Sequence, residues 1–506
     1  MKTSERACGV LMHPTSFPSP YGIGDLGIES RRILRLMAQA NIRLWQILPL
    51  GPTGYGDSPY ASRSCFAGNE LLIDIRSLNN ICDDNDIGLV LNDAIKDLEG
   101  IGLDCSARVD YNQVYATKMV ALKKIAGAFA KGHAQDVDFQ AFCSENAWWL
   151  DDYALYQGLV NNFNDSRWFM WPQDIKDRRK SAMAKWTKDL ADEISIYKAL
   201  QYFFHCQWNS LHKFANDLGI KIIGDIPIFA AGDSVDVWTN RRLFKIDSKG
   251  NQTALAGCPP DDFCPTGQLW GNPVYNWKEH EKDDFAWWRR RVEMMFKIVD
   301  ILRIDHFRGF ESYWETPAGE ETAMNGKWMP GPGMKLLGHF KGMDIIAEDL
   351  GFMTPEVQQL RAATEFPGMK IYQFGWDIQN GRFDASNEYL PHNYEQNCVA
   401  YTGTHDNETA RGWYNRQSDE YKDIIRRYLQ CPDDEVVWQM IRTLLASSAK
   451  YAIFPMQDIM GLDNSARMNV PSTVGISNWS WRMDPNQLEG WKLDRLREYI
   501  MLYGRS

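Results

Sequence analysis

One short apolar strand of this chain ends in opposite charges, within the stretch Val299-Asp300-Ile301-Leu302-Arg303-Ile304-Asp305-His306-Phe307-Arg308-Gly309. Residues 301–305 are rich in β-branched and apolar types, which predicts a buried strand. Arg303 and Asp305 are two residues apart, so their side chains lie on the same side of that strand. Such a charged pair costs desolvation free energy and is typical of a functional site. A structural ion pair at the strand end explains the pattern equally well at this point.

Three further predicted strands also carry acidic side chains at or near their carboxyl ends. They are Lys221-Ile222-Ile223-Gly224-Asp225-Ile226-Pro227, Asp344-Ile345-Ile346-Ala347-Glu348-Asp349-Leu350-Gly351 and Asn397-Cys398-Val399-Ala400-Tyr401-Thr402-Gly403-Thr404-His405-Asp406-Asn407. In a (β/α)8 barrel the carboxyl ends of all strands meet on one face, where active sites are built. Four such strand ends therefore favour one shared site over four separate structural ion pairs.

Composition and charge limit the classes of protein to which the chain can belong. It has 506 residues, of which 44% are hydrophobic and 24% charged, which is ordinary for a soluble globular protein. The net charge of -11 argues against nucleic acid and anionic membranes as partners. We expect no signal peptide and no transmembrane helix, because no sufficiently long apolar run occurs. The ten cysteines are scattered without a CxxC pair, which favours reduced thiols in the cytoplasm.

Eight predicted strands match the count of a (β/α)8 TIM barrel, so the expected fold class is α/β. These strands cover residues 8–12, 43–48, 221–226, 301–305, 344–348, 369–374, 398–402 and 451–454. Segments with helical spacing lie between them. We expect a single catalytic barrel over residues 1–506, because no linker rich in Ser, Pro or Gly divides the chain. The sequence leaves the oligomeric state open.

Two large insertions interrupt the alternation of strands and helices. Residues 49–219, between the second and third strands, predict a helical subdomain, with one short strand at residues 71–75. Residues 228–276, between the third and fourth strands, contain the run 258–263 with two prolines and the run 266–273 with two glycines and a proline. Such runs are unsuited to long helices or strands, and a long irregular loop inside a compact domain is usually functional. We therefore expect an active-site loop there.

The polar residues at the predicted strand ends suit chemistry on glycosidic bonds. The candidates are Asp225, Arg303, Asp305, Glu348, His405 and Asp406. In such chemistry one ionised acid attacks the anomeric carbon and a second, protonated acid gives its proton to the leaving oxygen. A metal site is an alternative, but the set contains a single His and no pair at the spacing of metal ligands. We therefore expect no metal.

The motifs at these strand ends resemble those of a known group of enzymes. Arg303-Ile304-Asp305, Ala347-Glu348-Asp349-Leu350-Gly351 and Thr404-His405-Asp406-Asn407 resemble the active-site signatures of the α-amylase clan. A closer similarity, to 4-α-glucanotransferases of the amylomaltase (disproportionating enzyme) family, is carried by Gly51-Pro52-Thr53-Gly54-Tyr55-Gly56-Asp57-Ser58-Pro59-Tyr60, Asp305-His306-Phe307-Arg308-Gly309 and Thr266-Gly267-Gln268-Leu269-Trp270-Gly271-Asn272-Pro273. The resemblance covers about residues 8 to 482. It is interrupted at Asp262, where the family often has Tyr, and at Cys264-Pro265.

The resemblance implies a role for each catalytic carboxylate. Asp305 is the nucleophile that forms a β-glucosyl-enzyme, and Glu348 is the acid/base. Asp406 stabilises the transition state through the hydroxyls of the donor sugar. Arg303 orients Asp305 and favours its carboxylate form.

The same resemblance implies a set of sugar contacts. His405 and Asp225 bind the donor sugar, and Tyr60 stacks beneath it. Tyr55 belongs to a secondary glucan contact. The acceptor-side loop supplies Asp261, Trp270 and Asn272. For Asp225 a capping role, for Tyr60 core packing and for the three loop residues loop packing remain alternatives.

The implied function is transfer of α-1,4-glucan segments between maltodextrins, with glucose as a further acceptor. No cofactor is needed, because the covalent intermediate stores the bond energy. A retaining hydrolase of the α-amylase type is the alternative among enzymes, since water can also resolve the glycosyl-enzyme. A glucan-binding protein with an inactive site is the alternative outside enzymes, and the intact set of Asp305, Glu348 and Asp406 argues against it.

Overall fold

A computed structural model describes residues 6–81, 85–103, 107–260, 264–379 and 382–506 of the chain. Its strands are β1 (Ala7–Leu11), β2 (Leu44–Gln46), β3 (Lys221–Ile226), β4 (Ala254–Cys258), β5 (Gln268–Pro273), β6 (Ile301–Ile304), β7 (Ser312–Pro317), β8 (Lys327–Pro330), β9 (Ile345–Ala347), β10 (Gly368–Ile371), β11 (Ile378–Gln379), β12 (Arg382–Phe383), β13 (Cys398–Tyr401) and β14 (Tyr451–Pro455). Its helices are α1 (Ile28–Gln39), α2 (Asn85–Ile101), α3 (Tyr111–Ala116), α4 (Lys118–Gly132), α5 (Val137–Phe163), α6 (Gln173–Lys176), α7 (Lys180–Asp189), α8 (Ala191–Asp217), α9 (Val235–Thr239), α10 (Trp277–Glu281), α11 (Ala286–Ile298), α12 (Met334–Leu337), α13 (Pro355–Thr364), α14 (Ala410–Arg416), α15 (Asp419–Leu429), α16 (Val436–Ala446), α17 (Met456–Met460) and α18 (Gly490–Leu502).

Eight parallel strands form the central sheet, in the order β10-β13-β14-β1-β2-β3-β6-β9. The two ends of this sheet meet, because the Ala347 N–H of β9 donates to the carbonyl of Pro367, directly before β10, at 2.9 Å. The Met369 N–H of β10 also donates to the carboxylate of Asp349 at 2.7 Å. The predicted (β/α)8 barrel is therefore confirmed, and each predicted strand overlaps a strand of this sheet.

The barrel strands are buried on both faces, which explains their nearly continuous apolar sequences. Every residue of β1 and of β13 is buried. Neighbouring layers approach closely at Gly224 in β3, where an added Cβ would lie 2.7 Å from the Val299 side chain. A residue larger than glycine would therefore displace its neighbours at this position, directly before Asp225.

The chain between β2 and β3 folds into helices α2 to α8. The two longest, α5 and α8, have 27 residues each and carry many of the buried aromatic side chains. The short strand predicted for residues 71–75 is wrong, because Glu70–Leu72 forms a 3-10 turn instead. The Asn69 side chain accepts a hydrogen bond from the Leu71 N–H at 3.0 Å and so starts that turn.

Four antiparallel strands form a second sheet beside the barrel, in the order β5-β4-β7-β8. The sequence predicted irregular structure for residues 266–273, and this prediction is wrong because β5 spans Gln268–Pro273. The pairing of β5 with β4 is irregular: Gly257 sits at a register shift in β4, where an added Cβ would lie 2.0 Å from the Gln268 carbonyl oxygen.

Within the part of the chain that the structure describes, no helix is both long and apolar enough to cross a membrane.

Candidate active site

The barrel brings the charged strand ends together around the Arg303 guanidinium. Asp225 in β3 and Arg303 in β6 are direct neighbours in the sheet. Arg303 Nη1 donates to Asp225 Oδ2 at 2.5 Å, and Nη2 donates to Asp305 Oδ1 at 2.9 Å. The Arg303 and Asp225 side chains are buried, whereas 30% of the Asp305 side chain is exposed. One buried cation thus holds a carboxylate that remains open to solvent.

The charges of this cluster depend on one another. Burial raises the pKa of Asp225 to about 6, although Arg303 opposes the increase. Burial disfavours the charge of Arg303, but Asp225 and Asp305 together hold its pKa well above the usual range. The guanidinium therefore stays charged and fixes the positions of both acids.

Tyr60 covers the buried end of this cluster. Its hydroxyl donates to Asp225 Oδ2 at 2.7 Å. Its ring stacks on the imidazole of His405, with the centroids 5.1 Å apart and an interplanar angle of 17°. The indole of Trp479 lies 5.7 Å from Tyr60 and 5.9 Å from His405. These three rings form an aromatic surface between the ends of β3 and β13.

Glu348 follows β9 and faces the residues that follow β6. Its Oε2 accepts a hydrogen bond from the His306 N–H at 2.7 Å, and its Oε1 accepts one from the Leu350 N–H at 3.1 Å. His306 has a φ of 51°, an uncommon conformation for a residue other than glycine, which directs its N–H to this carboxyl group. Burial, followed by the negative charge of Asp305, raises the pKa of Glu348 to about 8. Glu348 is therefore mostly protonated at neutral pH.

Asp406 follows β13, which only β10 separates from β9 in the closed barrel. Its Oδ1 accepts a hydrogen bond from Asn469 Nδ2 at 2.6 Å, and its Oδ2 lies 3.4 Å from His405 Nε2. The Asp406 side chain is 46% exposed. Each carboxylate oxygen thus has a protein partner, and the group remains accessible from the barrel mouth.

The other candidates from the sequence lie farther out. Trp270 is 36% exposed and meets the His306 ring edge-on, with 4.8 Å between the centroids. Asn272 donates from its amide to the Ala230 carbonyl at 3.0 Å. Tyr55 is 77% exposed. Asp261 lies outside the described residues.

Comparison with known proteins identifies the family. A family model described as 4-alpha-glucanotransferase matches residues 12–488. The chain belongs to the 4-alpha-glucanotransferase family. The 4-alpha-glucanotransferase of Streptococcus pneumoniae is 45% identical over 511 residues, covering 99% of this chain and 98% of its own length. That of Thermus thermophilus is 43% identical over 506 residues, covering 97% of each chain.

Solved structures agree with this assignment. The structure of the amylomaltase from Streptococcus agalactiae in complex with acarbose has a TM-score of 0.92 and 38% identity, covering 99% of this chain and 100% of that one. The amylomaltase from Corynebacterium glutamicum shares the fold, with a TM-score of 0.79 and 17% identity over 99% of this chain and 75% of its own. The family resemblance stated from the sequence motifs is thus confirmed.

Four residues of this 4-alpha-glucanotransferase site were not candidates from the sequence. They are His306, Arg467, Asn469 and Trp479. His306 directly follows Asp305 in a motif that was recognised, so its position gave a usable signal. Asn469 is 63 residues away from Asp406 along the chain, and only the fold brings the two together.

Among the residues that the structure describes, no three His, Cys, Asp or Glu side chains form a group that could hold a metal ion. The acids of the site instead contact Arg303, backbone N–H groups and the Asn469 amide.

Proposed function

We propose that this 4-alpha-glucanotransferase moves α-1,4-glucan segments between maltodextrins, or onto glucose, by a retaining double displacement. Asp305 attacks the anomeric carbon of the donor while Glu348 protonates the departing glycosidic oxygen, giving a covalent glucosyl-enzyme. Glu348 then takes the proton from the 4-hydroxyl of the acceptor, which attacks the same carbon and releases Asp305. Two inversions preserve the α configuration.

The observation that carries this proposal is the unequal environment of two neighbouring carboxyl groups. Asp305 accepts a charge-assisted hydrogen bond from Arg303. Glu348 has a pKa raised to about 8 by burial and by the charge of Asp305. Two carboxyl groups in such different environments suit different roles, with the Arg303-bound Asp305 as the nucleophile and Glu348 as the proton donor.

The remaining polar residues have distinct parts in this proposal. Asp406 and His405 bind the hydroxyls of the donor sugar, and the aromatic surface of Tyr60 supports its ring. Asp225 is completely buried beneath Arg303 and Tyr60. We therefore infer that Asp225 acts through these two side chains rather than by the direct sugar contact that the family resemblance implied.

We assign the acceptor side to the second sheet and its surroundings. Trp270, exposed beside His306, is the proposed stacking surface for the acceptor sugar. The Asn272 amide donates to the Ala230 carbonyl, so we infer that Asn272 holds β5 against the segment that follows β3. Asp261 remains a proposed acceptor contact, and Tyr55 a proposed outer glucan contact.

The organisation of the whole chain is also proposed. We treat residues 1–506 as one catalytic barrel that carries insertions at 49–219 and 228–276. We further propose that the enzyme works in the cytoplasm on maltooligosaccharides. Buried free thiols at Cys8 and Cys398, in two barrel strands, are compatible with a reducing compartment.

Incubation with pure maltotriose tests the proposed reaction. Each transfer forms one α-1,4 bond for each bond broken, so glucose and a ladder of longer chains should appear while reducing ends stay nearly constant. Added glucose should also speed the turnover of long donors by serving as acceptor. A steady rise in reducing ends, without products longer than the substrate, would replace the transferase by a hydrolase of the α-amylase type.

A further inference from the structure

We propose that Asn469 is a positioning residue that holds Asp406 in its catalytic orientation, an inference that rests on the function proposed above. Asp406 lies in the loop after β13 with almost half of its side chain exposed. An exposed carboxylate on a loop is free to rotate unless other groups hold it. The Asn469 amide supplies the shorter of its two side-chain contacts, at 2.6 Å.

The chemistry of the contact fixes which amide atom faces Asp406. An ionised carboxylate only accepts hydrogen bonds, so the amide nitrogen of Asn469 must be the atom that points to it. His405 Nε2 approaches the other carboxylate oxygen at 3.4 Å. The two contacts therefore define the plane of the carboxylate and leave its remaining lone pairs for the donor sugar.

Asn469 is itself held rigidly. It is only 8% exposed, and its N–H donates to the His405 carbonyl at 3.1 Å. Arg467 Nε donates to the Asn469 carbonyl at 2.7 Å, and Arg467 Nη2 donates to the Asp406 carbonyl at 2.6 Å. Residues 467–469 are also held at Met468, whose carbonyl accepts a hydrogen bond from the Trp479 N–H at 2.7 Å. These bonds tie residues 467–469 to the backbone of His405 and Asp406.

Because Asn469 positions Asp406, loss of the Asn469 amide should affect the reaction rate and not only substrate binding. Asp406 is proposed to act on the charge that develops in the transition state, where a displacement of about 1 Å can cost about 100-fold in rate. Removing the amide should therefore lower kcat more than it changes KM.

Two substitutions separate positioning from packing. Asn469→Ala removes the donor and the volume, whereas Asn469→Asp keeps the shape but puts an acceptor against Asp406. We expect fluoride release from α-glucosyl fluoride to show kcat about 100-fold lower for Asn469→Ala and at least as low for Asn469→Asp, with KM changed by less than about threefold. A packing role predicts the opposite order, because Asp fills the site.

The same loop offers a matched control. Asn478 is also buried, and its amide nitrogen donates to the carbonyl and the hydroxyl of Thr473, each at 3.0 Å. Asn478→Ala removes a comparable set of hydrogen bonds from the loop without touching Asp406. It should lower the thermal midpoint while leaving kcat within about threefold of the parent enzyme.

A double-substitution cycle completes the test. In an Asp406→Asn background, Asn469→Ala should cost less than about threefold, because the group that it positions has lost its charge. Losses that multiply in the double variant, or an Asn469→Ala enzyme with near-normal kcat, would overturn the role of Asn469. Near-normal turnover of Asp406→Asn alone is a different result, since it contradicts the proposed function of the site itself.

Discussion

At the scale of single residues, the neighbouring acids Asp305 and Glu348 have different surroundings and therefore different properties. The Arg303 guanidinium donates a hydrogen bond of 2.9 Å to the Asp305 carboxylate. Glu348 accepts two backbone hydrogen bonds, yet burial and the charge of Asp305 dominate and raise its pKa to about 8. The carboxylate that we propose as the nucleophile therefore also helps to keep the proton on its neighbour.

The raised pKa of Glu348 leads to a pH prediction that depends on the donor. Glu348 loses its proton as the pH rises through about 8, so kcat/KM for maltotriose should fall tenfold per pH unit above that value. With α-glucosyl fluoride the departing fluoride needs little protonation, and the formation of the glycosyl-enzyme should lack this alkaline limb. Initial rates for the two donors between pH 6 and 10 make the comparison.

Two variants serve as controls for that profile. Glu348→Gln should lose activity on maltotriose but keep more of the glycosylation step with α-glucosyl fluoride. Asp305→Asn should lose several orders of magnitude on both donors, because the nucleophile is absent. An equal loss of the glycosylation step on both donors for Glu348→Gln would contradict its role as the acid.

At the scale of secondary-structure elements, the sequence predicted the barrel better than its surroundings. The barrel strands are buried on both faces, so their apolar runs stand out without any knowledge of their partners. The strand β5 (Gln268–Pro273) was missed because its pairing with β4 comes from the tertiary structure and its glycines suggested a loop. The proposed catalytic acids could be selected from the sequence because they lie at or shortly after the ends of barrel strands, whereas Asn469 lies in a loop after α17.

The hairpin between β4 and β5 allows a test of how water is excluded from the acceptor side. Cys258 and Gln268 are paired residues, so the two strands can be joined by a tight turn. Replacing residues 259–267 with Asn-Gly should shift products from transfer towards hydrolysis, because the glycosyl-enzyme becomes open to water. The ratio of new reducing ends to longer chains from maltotriose measures the shift.

The matched control for the hairpin is a replacement of the same nine positions by Gly and Ser at unchanged length. This variant keeps a main chain of the same length between β4 and β5. It should therefore change the ratio of new reducing ends to longer chains less than the shortened turn does. If both variants transfer as well as the parent enzyme, residues 259–267 have no part in excluding water.

At the scale of the whole molecule, buried titratable groups act on stability in opposite directions. Burial raises the pKa values of Asp25, Asp225, Asp236 and Asp458 to about 6 and, together with Asp305, that of Glu348 to about 8. Burial also lowers the pKa values of His205, His280 and His306 to about 4 and that of His13 to about 3. The acids favour the folded state at low pH, whereas the histidines favour it at higher pH, so the two sets largely oppose each other below pH 6.5.

Between pH 7 and 8, Glu348 is the main group of this set that still titrates in the folded state, while the histidines, whose unfolded pKa is near 6.5, give a smaller slope of opposite sign. An unfolded Glu has lost its proton near pH 4.3, so the folded state binds more protons there and its stability must fall as the pH rises. One proton corresponds to about 1.4 kcal/mol per pH unit at most, so the titration of Glu348 by itself should lower the free energy of unfolding by about 1 kcal/mol from pH 7 to 8, and the four histidines should offset about half of this decrease. Urea unfolding at closely spaced pH values measures how the free energy of unfolding changes with pH.

The control is Glu348→Gln, which cannot titrate. This variant should lose the decrease in the free energy of unfolding that is due to Glu348, and it should be more stable than the parent at pH 8, although we expect it to be impaired in catalysis. Parallel slopes in the two proteins would show that the proton on Glu348 is not held as the structure indicates.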